Sequence, residues 1–81
     1  MPHVIVKLWS GRTQQQKVEL AQKISQAVKE SICPDERSIS VTFEDVASER
    51  WMDEVYTPDI LMKQDMLYKK PGYGAFKDEL D

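Results

Sequence analysis

Two short alternating segments separated by one long helical stretch decide what this chain can fold into. Residues 3–9 alternate, with Val4, Val6 and Leu8 pointing one way and Ile5, Lys7 and Trp9 the other. Period-two spacing with β-branched residues predicts a strand. Residues 38–44 alternate in the same manner, with Ile39, Val41 and Phe43 on one face. Between them Ser10-Gly11-Arg12 reads as a turn, and Thr13 starts a helix. The Thr13 hydroxyl can cap it, and Gln16 three residues on completes a capping box. The helix is predicted from about Gln14 to Ser31. Leu20, Ala21, Ile24, Ala27, Val28 and Ile32 make its apolar stripe, while Gln14, Gln15, Lys17, Glu19 and Gln22 fall mainly on the wet side. Pro34 disfavours helical geometry at Cys33 and so closes the helix. Strand, helix, strand is a βαβ unit, with a right-handed crossover and parallel strands.

That unit is incomplete by itself. Two strands do not make a stable sheet. The first strand is apolar on both faces, whereas one helix covers only one. At 81 residues the chain is read as one small domain, residues 1–81, with a thin core. A single cysteine, Cys33, allows no internal disulfide, and one cysteine with one histidine does not supply the four ligands of a structural zinc site. Oligomerisation is the reinforcement left. The expectation is an α/β (α+β) homodimer in which two βαβ units pair into a four-stranded sheet with helices packed on it. The net charge of −3, from 11 basic and 14 acidic residues, argues against nucleic acid, which needs a basic stripe. No apolar run approaches the ~20 residues of a membrane span, and no basic segment leads into an apolar one as in a secretory signal. A cytoplasmic protein without a membrane partner is expected.

Beyond the second strand the pattern is less regular. Ser48 can cap a short helix carrying Trp51, Met52 and Val55. Thr57-Pro58 restarts a helix, with proline at its tolerated first position. This helix is predicted to reach about Lys70, with Ile60, Leu61, Gln64, Leu67 and Tyr68 near one face and Lys69-Lys70 suiting its C-terminus. Pro71-Gly72-Tyr73-Gly74 ends it.

Five residues are candidates for chemistry. Pro2 follows the initiator methionine, whose trimming would leave a secondary amine at the mouth of an apolar strand. An α-amino group titrates near pH ~7.7–8, and burial lowers that value, towards the range where general bases work best. The ordinary alternative is a strand-edge proline with no ladder donor to lose. Arg12, Arg37 and Arg50 each offer a planar fork that matches a carboxylate; each is equally well a solvated surface charge. Arg12 lies ten residues from Pro2, about 30 Å along an extended strand, so it suits a neighbouring subunit's Pro2 better than its own. Arg37 is read at the start of the second strand, at Pro2's end of a parallel pair. Trp51 is a pocket wall or a packing residue. His3 is read as exposed and Cys33 as inert. No phosphate loop, metal motif or hydrolase elbow is present.

A Met-Pro start on a βαβ unit of this length, with Gly11-Arg12 and then a capping residue, resembles the 4-oxalocrotonate tautomerase family from Pro2 to about Trp51. The later stretch, with Trp51 and Lys69-Lys70-Pro71-Gly72-Tyr73, is similar to the longer dimeric bacterial members, which include phenylpyruvate-type enol tautomerases. The resemblance implies a cofactor-independent isomerase acting on a small keto or enol acid, with Pro2 as the proton-shuttling base. It implies that Arg12 binds substrate across subunits and that Trp51 closes a hydrophobic pocket. The family's second arginine is replaced here by Ser40, which points away from a dicarboxylate and towards a monocarboxylate with an apolar or aromatic body; Arg37 or Arg50 are the candidates to substitute. A hydratase or dehalogenase of a small unsaturated acid, with Glu44 or Asp45 as the added acidic group, stays open as the alternative. So does a non-catalytic dimeric module.

Overall fold

Both alternating segments form strands in the computed structural model, which describes residues 1–78. Strand β1 spans His3–Trp9, helix α1 Gln14–Ser31 and strand β2 Ser40–Val46. The strands are parallel, with Val4 opposite Val41, Val6 opposite Phe43 and Leu8 opposite Asp45. The capping box forms as the spacing requires. Thr13 Oγ1 accepts from the Gln16 N–H at 3.0 Å, and the Thr13 N–H donates to Gln16 Oε1 at 2.9 Å. Gly11 makes the preceding turn at φ 121°, a conformation that side chains with a Cβ rarely adopt. The Ser10 N–H then donates across to the Val46 carbonyl at 3.0 Å.

The helix covers one sheet face only. Val41 and Phe43 share a cleft with Gln14, Lys17, Val18 and Ala21 of α1, and Lys17 Nζ reaches Asp45 Oδ2 at 2.6 Å. Lys17 is thus half-buried, contrary to its expected place on the wet side: its long stem covers apolar surface while its ammonium meets the carboxylate. The opposite face leaves Ile5 and Trp9 52% and 55% exposed. No residue of α1 is fully buried.

Strand β2 starts two residues later than the alternation suggests. Residues Glu36–Ser38 form a 3₁₀ turn instead. Asp35 caps it by accepting the Arg37 N–H at 3.1 Å, and the Ser38 and Ile39 N–H groups donate back to Asp35 and Glu36. Those donors are engaged locally, so Ser40 is the first residue whose N–H crosses to β1, meeting the Pro2 carbonyl at 3.2 Å.

The chain divides into two compact units, residues 1–48 and the residues from Glu49 onward. In the second, the helix expected from Thr57 to about Lys70 does not form as such. A wide-turned π-helix spans Met52–Leu61 with Pro58 inside it. Proline has no N–H and crowds the carbonyl four residues back, so a regular α-turn is unfavourable there. The chain takes five-residue spacing, with the Met62 N–H donating to the Thr57 carbonyl at 3.0 Å. Only a 3₁₀ turn, Gln64–Met66, follows. Lys69 and Lys70 therefore cap no helix, and Tyr68 is wholly exposed rather than on an apolar stripe.

Val55, Tyr56 and Phe76 are buried in this unit. A further 3₁₀ turn, Gly74–Phe76, begins at Gly74 with φ 64°. A Cβ at Gly74 would overlap the Tyr56 ring, so this position excludes any side chain. The Tyr56 hydroxyl accepts the Ala75 N–H at 2.7 Å. No helix among the described residues is long and apolar enough to cross a membrane.

Candidate active site

Parallel pairing brings the two strand starts together, and this positions Pro2. The residue is half-buried, while Met1 beyond it is almost fully exposed. Its carbonyl is held by the Ser40 N–H. With Met1 attached the Pro2 nitrogen is an amide; its removal would expose a secondary amine at this strand entry.

Pairing also creates a polar cluster that the linear pattern does not reveal. His3 stands opposite Ser40. Its Nδ1 lies 2.6 Å from Ser40 Oγ and its Nε2 lies 3.4 Å from Thr42 Oγ1. His3 is exposed as expected but is engaged at both ring nitrogens. The missing signal is register: alternation places residues 3, 40 and 42 on strand faces, and only pairing shows that they meet. Ser40 is thus tied to the residue next to Pro2.

Arg12 is exposed in the turn at the opposite end of β1 from Pro2, beside a pocket of about 90 Å³ that Leu8, Lys17, Leu20 and Phe43 also line. Arg37 sits in the 3₁₀ turn, and its Nε and Nη2 donate to Asp35 at 3.1 and 3.4 Å. That guanidinium, helped by the Arg37 N–H, holds the Asp35 carboxyl below its ordinary range. Arg50 pairs with Glu54 one helical turn on, at 2.8 Å. Both arginines proposed as substitutes for the second one therefore already face a carboxylate.

Trp51, in the second unit, donates its indole N–H to the Tyr73 hydroxyl at 2.9 Å. Of the acidic residues considered for water activation, Asp45 is paired with Lys17 and Glu44 stands opposite Lys7. A larger cleft of about 520 Å³ runs along α1 and β2, but Glu36 is the one charged side chain in its lining, which does not suit a carboxylate. Among the described residues no group of three or more histidine, cysteine or acidic side chains could hold a metal ion. The arrangement sets Pro2 beside a polar patch at one strand end and the Arg12 cation at the other.

The chain is similar to known proteins. The profile of the tautomerase enzyme family matches residues 2–55. A protein described as a probable tautomerase from Xylella fastidiosa is 43% identical over 74 residues, covering 91% of this chain and 90% of that protein. Tautomerase PptA from Pectobacterium carotovorum is 36% identical over 75 residues, covering 91% of this chain and 99% of its own. Among solved structures, YwhB, described as a homologue of 4-oxalocrotonate tautomerase, superposes with a TM-score of 0.55 at 41% identity, over 57% of this chain and 75% of YwhB.

Proposed function

Because the chain belongs to the tautomerase family, we propose that it interconverts the enol and keto forms of a small 2-oxo acid, with the Pro2 nitrogen as the base. That it is an isomerase enzyme, a tautomerase, follows from the family; the substrate and the role of each residue are our reading. Once Met1 is removed, the neutral Pro2 amine takes a proton from the enol hydroxyl or from the carbon next to the carbonyl. The prolinium that results returns it to carbon, and the keto acid leaves.

The partner subunit's Arg12 holds the substrate carboxylate and offsets charge developing on the oxygen. Crossing between subunits resolves the separation along β1. The uncovered sheet face with Ile5 and Trp9, and the two-stranded sheet with its free edges, support a homodimer. Trp51 forms the apolar wall of the pocket. A second guanidinium is absent at Ser40, and Arg37 and Arg50 are held by their own acids, so a monocarboxylate with an aromatic or apolar body fits better than a dicarboxylate.

The observation that carries this reading is that the family match starts at Pro2 itself, the residue whose carbonyl anchors the first inter-strand hydrogen bond. Ketonisation of enol phenylpyruvate, followed by ultraviolet absorbance, tests it. Intact mass first establishes that Met1 is gone. The processed protein should accelerate ketonisation, and Pro2→Ala should lower kcat by about 10²–10⁴-fold, the range of a positioned proton-transfer group. A Pro2→Ala enzyme as fast as the parent would assign the base elsewhere.

A further inference from the structure

The second unit contains a closed chain of aromatic contacts that ends on Trp51. The indole N–H is the one polar group of that side chain, and it donates to Tyr73 Oη. The Tyr73 ring lies 5.5 Å from the Tyr56 ring, tilted by 40°. Tyr56 is buried, and its hydroxyl accepts the N–H of Ala75, two residues after Tyr73. Gly74 lets the chain pass against the Tyr56 ring where a Cβ would overlap it. Tyr73 is therefore held from below by Tyr56 and from its C-terminal side by the turn that buries Phe76. It is not a mobile surface phenol.

We propose that Tyr73 is a positioning residue that sets the orientation of the Trp51 indole and so the shape of the apolar wall offered to substrate. This rests on the reading of Trp51 as that wall. The torsion about the bond to an indole ring is broad by itself. A hydrogen bond from Nε1 to a fixed acceptor selects one orientation out of that range. Trp51 is only half-buried, so packing alone constrains it weakly. Tyr73 is 41% exposed, so its hydroxyl is not needed to complete the core, which Val55, Tyr56 and Phe76 form without it. The Tyr73 hydroxyl does, however, accept the Trp51 indole N–H, which ties the ring's orientation to the turn that carries Tyr73.

Tyr73→Phe keeps the ring and its contact with Tyr56 and removes the acceptor. It should raise KM for enol phenylpyruvate by about two- to tenfold with kcat nearly unchanged, while the thermal midpoint falls by no more than about 10 °C, the loss of one hydrogen bond from the fold. In a Trp9→Phe background, which leaves Trp51 as the single tryptophan, the same substitution should shift the indole emission of the ligand-free protein. Trp51→Phe should raise KM as well, and adding Tyr73→Phe to it should bring no further change. If Trp51→Phe raises KM while Tyr73→Phe does not, the positioning role is wrong and the wall reading stands. A Trp51→Phe enzyme with unaltered KM removes the wall reading and this inference with it. A Tyr73→Phe effect that persists in the Trp51→Phe background, or that arrives as a lowered thermal midpoint with kcat and KM falling together, overturns the positioning role.

Discussion

The two units of this chain are built on opposite principles. Residues 1–48 are regular: a strict parallel register, an 18-residue helix and a complete capping box. Yet Val46 is the single side chain of that unit that is buried among the described residues. Among the described residues from Glu49 onward there is no strand and no ordinary α-helix, but they hold the other three buried apolar side chains, Val55, Tyr56 and Phe76. Regular backbone and buried side chains are thus separate properties. The βαβ unit has backbone order and faces still to be covered, as suits half of a subunit pair. The second unit closes on itself through aromatic rings and one glycine turn.

Substitutions can break or sharpen this contrast. Phe76→Ala, at a site 2% exposed, should cost about 3–5 kcal/mol, as large-to-small changes at buried aromatic positions do. Urea unfolding reads it, and Ile24→Ala on the half-buried α1 face should cost clearly less under conditions where subunits are dissociated. Equal costs would erase the distinction between the units. Next in size, Lys17→Ala removes an ion pair that ties α1 to β2 and has a largely shielded member, and should cost up to about 1 kcal/mol; a double-mutant cycle with Asp45→Ala measures it.

The smallest effect concerns Asp35. Arg37 depresses its folded pKa below the unfolded value. The resulting stabilisation is present above the unfolded carboxylate range and is lost as pH falls through the folded pKa. Asp35 is solvent-exposed, so the difference in urea midpoint between parent and Asp35→Asn should be slight at pH 7 and vanish under strongly acid conditions. A difference that grows on acidification would reverse the assigned sign.

How much of this was legible follows the same division. Alternation at Val4, Val6 and Leu8, the helical stripe at Ala21, Ile24 and Val28, and the Thr13–Gln16 box are local patterns, and each became the element it implied. The start of β2 was misplaced by two residues because Asp35 competes for backbone donors, an interaction that alternation does not encode. The helix through Pro58 was misread because proline at a first helical turn and proline inside a π-helix look alike in sequence. Within the candidate site, Pro2 and Arg12 stand out by position. The contacts of His3 with Ser40 and Thr42, and of Trp51 with Tyr73, join residues 22 or more positions apart and need the fold.

The central claim is that the regular unit is half of a shared site, with Pro2 from one subunit and Arg12 from the other. Mixing two inactive enzymes tests it most directly. Pro2→Ala and Arg12→Ala subunits, unfolded together in equal amounts and refolded, form hybrids in which one site of two regains both residues. About a quarter of parent ketonisation activity should return, since half of random dimers are hybrids with one intact site each. If Pro2 and Arg12 act within one subunit, every hybrid site lacks one of them, and the mixture will be no more active than its components.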